Sequence, residues 1–486
     1  MEYNTIFAKS FSRHEQKKLG VTAFLGSLII LLSIFTVFRP SFRHLPILNL
    51  RVSMRAGLAM LMFEDTRSSP QESIPIKHAG EGGPFISLPA PFIAEAEEIK
   101  QEMKPVCNVF EERSDFCNID GHIRVHGNSS TIYFASSQVG GWAGNESWRL
   151  RPYARKTDLT AMGSVTQLSV KPITANQIAP SCSVNHSVPA VVFSIGGYSG
   201  NHFHDFADIL VPLYVTSRQF DGEVQFLITN VKAFWLLKYQ TALKALSRYD
   251  IINMDKDNDV HCFPSVIVGL QYHTELIIDP SKSVNGYSMS SFREFLRSAY
   301  SLKRKRAIKI SDRRRKKPRL LIVSRKRTRS FTNGDDIVKM AKSLGFAVVV
   351  AEPGMTGLSQ FAQIVNSCDV MMGVHGAGLT NLVFLPTNAI LIQIVPWGRL
   401  EWLSTHYFGE PAVRMNIRYM EYRIKEEEST LIQQYPRDHA VFKDPMSIHK
   451  QGWNALKSTF LDKQNVNLDV HWFRRTLLEA LELLHH

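Results

Sequence analysis

The sequence predicts an α/β protein with two successive doubly wound halves behind an N-terminal membrane anchor. Three observations carry this. From residue 189 onward, short apolar runs alternate with helical patterns, the signature of a parallel sheet covered on both faces. A glycine-punctuated turn leads from strand to helix once in each half, at 196–201 and at 373–378. Near the start, residues 19–38 run for 20 positions without a charge.

That run comes first in the chain. At ~1.5 Å per helical residue it spans a ~30 Å hydrocarbon core. Lys9, Arg13, Lys17 and Lys18 precede it, and Arg39, Arg43 and Arg51 follow, so the charge contrast across it is slight. A cleaved leader is the rival, but the run is long and no Ala-Xaa-Ala follows it. The expectation is a cytosolic tail at 1–18, a signal anchor at 19–38 and a translocated remainder. Residues 39–104, rich in Pro, Gly, Ser and Glu, lack sustained periodicity and read as a flexible stem.

Acceptor sequons begin at Asn128, Asn145 and Asn185, all beyond the anchor, as a lumenal domain requires. The five cysteines are Cys107, Cys117, Cys182, Cys262 and Cys368. Cys107 and Cys117 close a short polar loop and are candidates for a disulfide. Cys368 sits in an apolar helical pattern, as a buried free thiol does. Partners for Cys182, Cys262 and Cys368 are left open, and no spacing suggests a zinc site.

The first half, 105–302, starts its alternation with a strand at 189–195. GGYSGN follows at 196–201, then a helical pattern at 202–214. His204 and Asp205 at such a turn are candidate proton acceptors for a hydroxyl; the plainer alternative is a first-turn acid that stabilises the helix, which fits Asp208 better. Strands are expected at 224–229 and 265–270, and helices at 231–247 and 291–302.

Between 303 and 329 lie fifteen Lys and Arg against Asp312 alone, a local charge of +14 in a chain whose total is +13. The basicity is therefore local, which argues against a general nucleic-acid surface. Residues 303–317 read as a solvated linker. Arg325 and Arg329 differ, because they follow a strand at 320–324 and emerge at its carboxyl end, where open α/β sheets bind ligands. Guanidinium forks match phosphate oxygens there.

The second half, 318–486, repeats the plan. Helices are expected at 335–344, 358–367, 400–408, 447–461 and 471–484, and strands at 347–351 and 390–395. At its centre stands VMMGVHGAGLTNLVFLP, 370–386. Three glycines interrupt the apolar pattern, letting backbone approach a ligand, and a helix start offers unpaired N–H groups. Those features suit a diphosphate. Gly373, His375, Gly376, Ala377, Gly378, Thr380 and Asn381 are the candidate cradle residues. No isolated Asp-Xaa-Asp stands in a ligand-like loop; the nearest, within 255–259, reads as a polar turn, and a metal is not required.

RPYARK at 151–156, GGYSGNHFHDFAD at 196–208, SRKRTRSFTN at 324–333, GVHGAGLTN at 373–381 and FKDPMSIHKQGW at 442–453 together resemble glycosyltransferase family 61, in its plant branch of xylan arabinosyl- and xylosyltransferases. The resemblance covers about 105–485; in RSDFCNIDGHIRVHG at 113–127, His122 stands where the family usually has an acid. It implies two facing Rossmann-like domains (GT-B), in a single-pass Golgi protein with a lumenal catalytic domain. It also implies inverting transfer of arabinofuranose or xylose from a UDP-sugar to xylan. The cradle, with Arg325 and Arg329, would hold the diphosphate, and Asp205 or His204 would act as base. No cofactor or metal is implied. The alternatives are a β-1,2-xylosyltransferase acting on N-glycans, or a non-catalytic glycan-binding member of a synthase complex.

Overall fold

The structure is a computed structural model that describes residues 106–135, 147–173, 179–310, 316–354 and 357–485. The expected tail, anchor and stem, and Asn145, lie outside the described residues. Among the described residues, no helix is long and apolar enough to cross a membrane.

Fifteen strands, numbered in chain order, form two sheets among the described residues. The first holds β1 (Cys107–Asn108), β2 (Phe116–His126), β3 (Thr131–Ala135), β4 (Trp148–Leu150), β5 (Leu168–Ile173), β6 (Val184–Asn185), β7 (Ala190–Ser194), β8 (Gln225–Thr229), β9 (Ile252–Asn253) and β10 (Val260–Val268). Its spatial order is β4-β5-β3-β2-β10-β7-β8-β9, with β1 on β2 and β6 on β10. The part around β7 is parallel, as the alternation predicts. An antiparallel extension was not expected: β2 pairs with β1, β3 and β10 in that sense. Its strands alternate in burial, as in β2, because one face is wet. The first half is therefore a mixed sheet, which corrects the all-parallel expectation.

The second sheet is wholly parallel: β11 (Arg319–Val323), β12 (Ala347–Ala351), β13 (Val370–Val374), β14 (Ile390–Val395) and β15 (Arg418–Arg423) lie in the order β12-β11-β13-β14-β15. Apolar runs such as ILIQIV in β14 are buried at every position, because helices cover both faces. The strand order reverses direction between β11 and β13. In open α/β sheets that reversal opens a crevice at the carboxyl ends of the strands.

Two helical expectations need correction. The segment after Gly376 is a 3-10 helix, Ala377–Phe384, and not an α-helix. The span 447–461 breaks into Pro445–His449, Trp453–Leu456 and a π turn, Lys457–Asp462; Gly452, at φ +99°, ends the first piece. The C-terminal helix is found at Val470–His485.

One buried apolar cluster runs through both halves, with Phe193, Phe206 and Phe292 on one side and Phe361, Leu382 and Phe384 on the other. Phe206 meets Phe292 and Phe384 edge-on, with centroids 6.4 and 5.9 Å away. Full burial of such a ring contributes about 2–3 kcal/mol. Arg293, itself buried, crosses the same boundary and donates to the carbonyls of Val383, Leu385 and Met415. Val383 and Leu385 stand at the end of the 3-10 helix and Met415 caps the short helix Glu410–Arg414, ends at which a cation is favoured.

Cys107 and Cys117 are disulfide-bonded, joining β1 to β2. Cys182 pairs with Cys262, and Cys368 is a buried free thiol. Asn128, in the turn between β2 and β3, and Asn185 are both exposed.

Candidate active site

Both glycine turns lie at carboxyl ends of strands, and side chains from the two halves meet between them. In the second half, β11 delivers Arg325 and Arg329, and β13 delivers the 375–378 turn. Gly376 has φ +143°, and a Cβ there would lie 2.7 Å from Arg329 Nη1 and 2.9 Å from Arg325 Nη1. Only glycine lets both guanidiniums close on this backbone. Gly378 is also approached, by Val323 Cγ1 at 3.3 Å and Arg325 Nη1 at 4.0 Å; Gly373 instead makes room for Leu379 and Val323.

Arg329 Nη1 donates to the His375 carbonyl at 3.0 Å, and Arg325 Nε to the Thr328 carbonyl at 2.9 Å. The buried Nε of Arg329 has no hydrogen-bond partner. Among the described residues neither guanidinium forms an ion pair with a carboxylate. Burial, reinforced by Arg325, lowers the Arg329 pKa to about 10, and burial also lowers that of Arg325. Two crowded, partly desolvated cations beside the start of a helical turn have the chemistry that an anion site requires.

The loop bearing these arginines is held by the chain's C-terminal segment. Arg329 N donates to Gln464 O, Ser330 to Asn465 Oδ1, and Thr332 N to Val466 O. Arg329 itself sits at φ +55°.

His375 is buried, and its Nδ1 lies 2.7 Å from the Gln393 amide. The Tyr419 hydroxyl stands 3.0 Å from Gln393 Oε1 and 3.1 Å from Glu421 Oε2. Burial, then the charges of Arg329 and Arg325, hold the His375 pKa down at about 3. Phe408 packs edge-on against the ring at 5.5 Å.

Across the junction, Phe203 touches Phe408 at 5.7 Å and Tyr407 at 5.1 Å, and lies 5.5 Å from the ring of His204. A continuous aromatic path thus links His375 to His204. His202 bridges directly, with Nε2 3.2 Å from Asn381 Oδ1 and Nδ1 3.0 Å from the Tyr239 hydroxyl. Burial, then Lys238, lowers the His202 pKa to about 4. Asn381 also donates to the Gly378 carbonyl, so it fastens the turn to the other half. Thr380 is buried with its hydroxyl unpartnered, while Ala377 and Gly378 are half-exposed.

The neutral state of these two histidines fixes a pH response. The unfolded chain binds protons near pH 6.5, whereas the folded protein holds out to about 4 at His202 and about 3 at His375. Stability is therefore complete above 6.5 and falls as the pH drops below it, by about 2 kcal/mol per histidine on reaching pH 5. The melting temperature at pH 5 is expected to lie below that at pH 7, with a smaller difference in His202→Gln. Equal melting temperatures at both pH values would contradict this.

In the first half, the helix after GGYSGN opens as His202–His204 and becomes a π turn at Asp205–Leu210. Such turns recur at functional sites. Asp205, expected as a base, is fully buried. It accepts from Gly200 N (2.7 Å), Trp235 Nε1 (2.8 Å), Tyr239 OH (2.7 Å) and Lys238 Nζ (3.2 Å). Four donors match the four lone-pair sites of a carboxylate, so its place is structural. Asp208, read from the sequence as a helix-start acid, does more. Its Oδ2 accepts from Tyr153 OH at 2.8 Å and Arg155 Nε at 2.7 Å and lies 3.0 Å from His204 Nδ1. Burial pushes the Asp208 carboxyl upward, but His204 and Arg155 outweigh it and the net shift is down.

Arg155 continues to Glu275 at 2.8 Å, which Arg113 also pairs. This chain of alternating charges seats the dyad. With Nδ1 on Asp208, Nε2 of His204 is left for another partner, and the side chain is 21% exposed. Tyr153 is seated by Gly197, whose Cβ would overlap its ring at 2.4 Å. Sequence reasoning missed Tyr153, Arg155, Glu275, Gln393 and Tyr407 as site residues; the RPYARK block held the one legible signal among them.

One group among the described residues has the donor atoms to hold a cation: Asp257, Asp259 and His261. It lies at the amino end of β10, away from the carboxyl edge that carries both turns. His261 there is already bonded to Asp257 and His186.

A glycine turn closed on by two guanidiniums thus stands at a parallel-sheet crevice, joined by an aromatic path to a His–Asp pair, an arrangement with the chemistry of a transferase site. The family model described as Glycosyltransferase 61 matches residues 202–392. The chain is 48% identical over 387 residues to the alpha-1,3-arabinosyltransferase XAT3 of Oryza sativa subsp. japonica, covering 79% of this chain and 66% of that protein. It is 43% identical over 392 residues to the beta-1,2-xylosyltransferase XYXT1 of the same plant, covering 78% and 84%. It is 38% identical over 382 residues to the xylan glycosyltransferase MUCI21 of Arabidopsis thaliana, covering 76% and 77%. The chain belongs to the Glycosyltransferase 61 family. The match spans just under two thirds of the rice arabinosyltransferase's length.

Proposed function

We propose that this protein transfers a pentose, arabinofuranose or xylose, from a UDP-sugar to xylan with inversion at the anomeric carbon. The observation that carries the reading is the pair of guanidiniums closed on Gly376, with Glu352 and Asp462 acting on them only from beyond ion-pair distance, across an aromatic junction from the His204–Asp208 dyad. The substrate class is supported by the relatives above, which include a rice alpha-1,3-arabinosyltransferase and an Arabidopsis xylan glycosyltransferase.

The two halves would then work as the facing domains of a GT-B arrangement, with the donor on the second and the acceptor on the first. In the reaction, an acceptor hydroxyl oxygen forms the bond to the anomeric carbon. The bond from that carbon to the diphosphate oxygen breaks on the opposite face, and UDP leaves. The hydroxyl proton passes to Nε2 of His204, and Asp208 stabilises the imidazolium that results. Arg325, Arg329 and the N–H groups at the start of the 3-10 helix take up the charge gathering on UDP. No step in this scheme calls on a metal. A single-pass Golgi protein with a lumenal catalytic domain, glycosylated at Asn128, Asn145 and Asn185, fits the reading; the two disulfides are in keeping with such a compartment.

The test is UDP release from UDP-xylose and UDP-arabinofuranose, with xylo-oligosaccharides or N-glycans as acceptor and with EDTA as a separate arm. Pentosyl transfer to xylo-oligosaccharides, resistant to EDTA, is the expected result. Transfer to N-glycans alone would replace the acceptor. Glycan binding with no transfer from any donor would overturn the enzyme reading.

A further inference from the structure

Behind His375 stands a row of polar side chains that the mechanism above does not use. It runs from Glu421 through Tyr419 and Gln393 to His375 Nδ1, with contacts of 3.1, 3.0 and 2.7 Å. Gln393 is fully buried in β14, and Arg423 Nη2 lies 2.5 Å from the other oxygen of Glu421. The hydrogens along this row can be counted. Tyr419 has one hydroxyl proton and two acceptors within reach, Glu421 Oε2 and Gln393 Oε1. A charged carboxylate is the stronger acceptor. Once it takes the proton, Gln393 Oε1 and the phenol oxygen would confront each other with lone pairs.

Turning the Gln393 amide end over, which costs no space, removes that conflict. Its NH2 then donates to the Tyr419 oxygen, and its carbonyl accepts from His375 Nδ1–H. With Glu421 as a carboxylate, every contact in the row is satisfied in that arrangement alone. We propose that Glu421 is a positioning residue which, through Tyr419 and Gln393, holds His375 with its proton on Nδ1 and an unprotonated Nε2 turned to the cleft. His375 thereby accepts a hydrogen bond from a hydroxyl of the donor sugar, while the phosphates are left to Arg325, Arg329 and the turn.

The surroundings agree. Two guanidiniums beside the ring favour a bare lone pair over an imidazolium. Phe408 covers the ring edge-on, which limits the ring's freedom to turn. The site would thus sense two parts of a nucleotide sugar with different chemistry: cations for the diphosphate, and a lone pair for a hydroxyl beyond it.

The inference rests on the donor-site reading above, and the experiment separates the two. The full chain, labelled with nitrogen-15 histidine, is compared with His375→Gln to assign the ring signals. Wild type should show a protonated Nδ1 and a bare Nε2, and Tyr419→Phe should lose that preference. A protonated Nε2 in wild type would overturn the inference. In kinetics, Tyr419→Phe and the near-isosteric Glu421→Gln should raise the donor KM roughly 10-fold, the scale of one lost hydrogen bond. Inhibition by UDP, which lacks the sugar, should stay unchanged. Loss of UDP affinity in parallel with KM would place His375 on the phosphates and overturn the inference. Failure of wild type to bind UDP at all would instead overturn the donor site, whatever the tautomer.

Discussion

Replacing His204 by Gln is expected to lower kcat by ~10²–10⁴, the range that one positioned base contributes, with UDP affinity and melting temperature unchanged. His204 is the partly exposed imidazole with a carboxylate on its Nδ1, at 3.0 Å, which leaves Nε2 for a hydroxyl. Asp205→Asn separates the two histidine-neighbour assignments. An amide there cannot accept from Gly200, Trp235, Tyr239 and Lys238 together, so that variant should melt at a lower temperature. UDP-release kinetics with a thermal melt on each variant check both. His204→Gln retaining more than a tenth of wild-type turnover would move the base elsewhere.

The second large effect is on donor binding. Arg325→Ala and Arg329→Ala are each expected to weaken UDP binding ~10–100-fold, or about 1.4–2.8 kcal/mol, because each removes a partly desolvated charge from the anion site. Gly376→Ala should match the loss in both. Its methyl group would stand where two guanidinium nitrogens now lie, at a φ of +143° that resists a side chain. Calorimetric titration with UDP reads all three. Wild-type affinity in Gly376→Ala would show that the arginines do not need that approach, and the cradle would be misassigned.

The parallel strands were legible because each writes a largely apolar run: the expected 347–351 and 390–395 coincide with β12, a partly exposed edge strand, and with the fully buried β14. The strands β1 to β5, antiparallel except where β3 meets β5, escaped because half-wet strands alternate weakly and the stretch reads as polar. β15, RYMEYR, hides for the same reason. At the site, glycines and arginines announced themselves, since a ligand turn needs residue types that a core does not. The roles of Asp205 and Asp208 did not. Both are acids in one helical turn, and only packing decides which meets four structural donors and which meets His204. Gln393 lay inside an apolar strand with no partner visible along the chain.

The apolar cluster that passes through both halves has a mechanical outcome. Swinging one half against the other about a hinge would pull Phe206 away from Phe384 and strip Arg293 from three carbonyls. Hinge motion of that kind therefore carries a cost that the movement of single side chains does not.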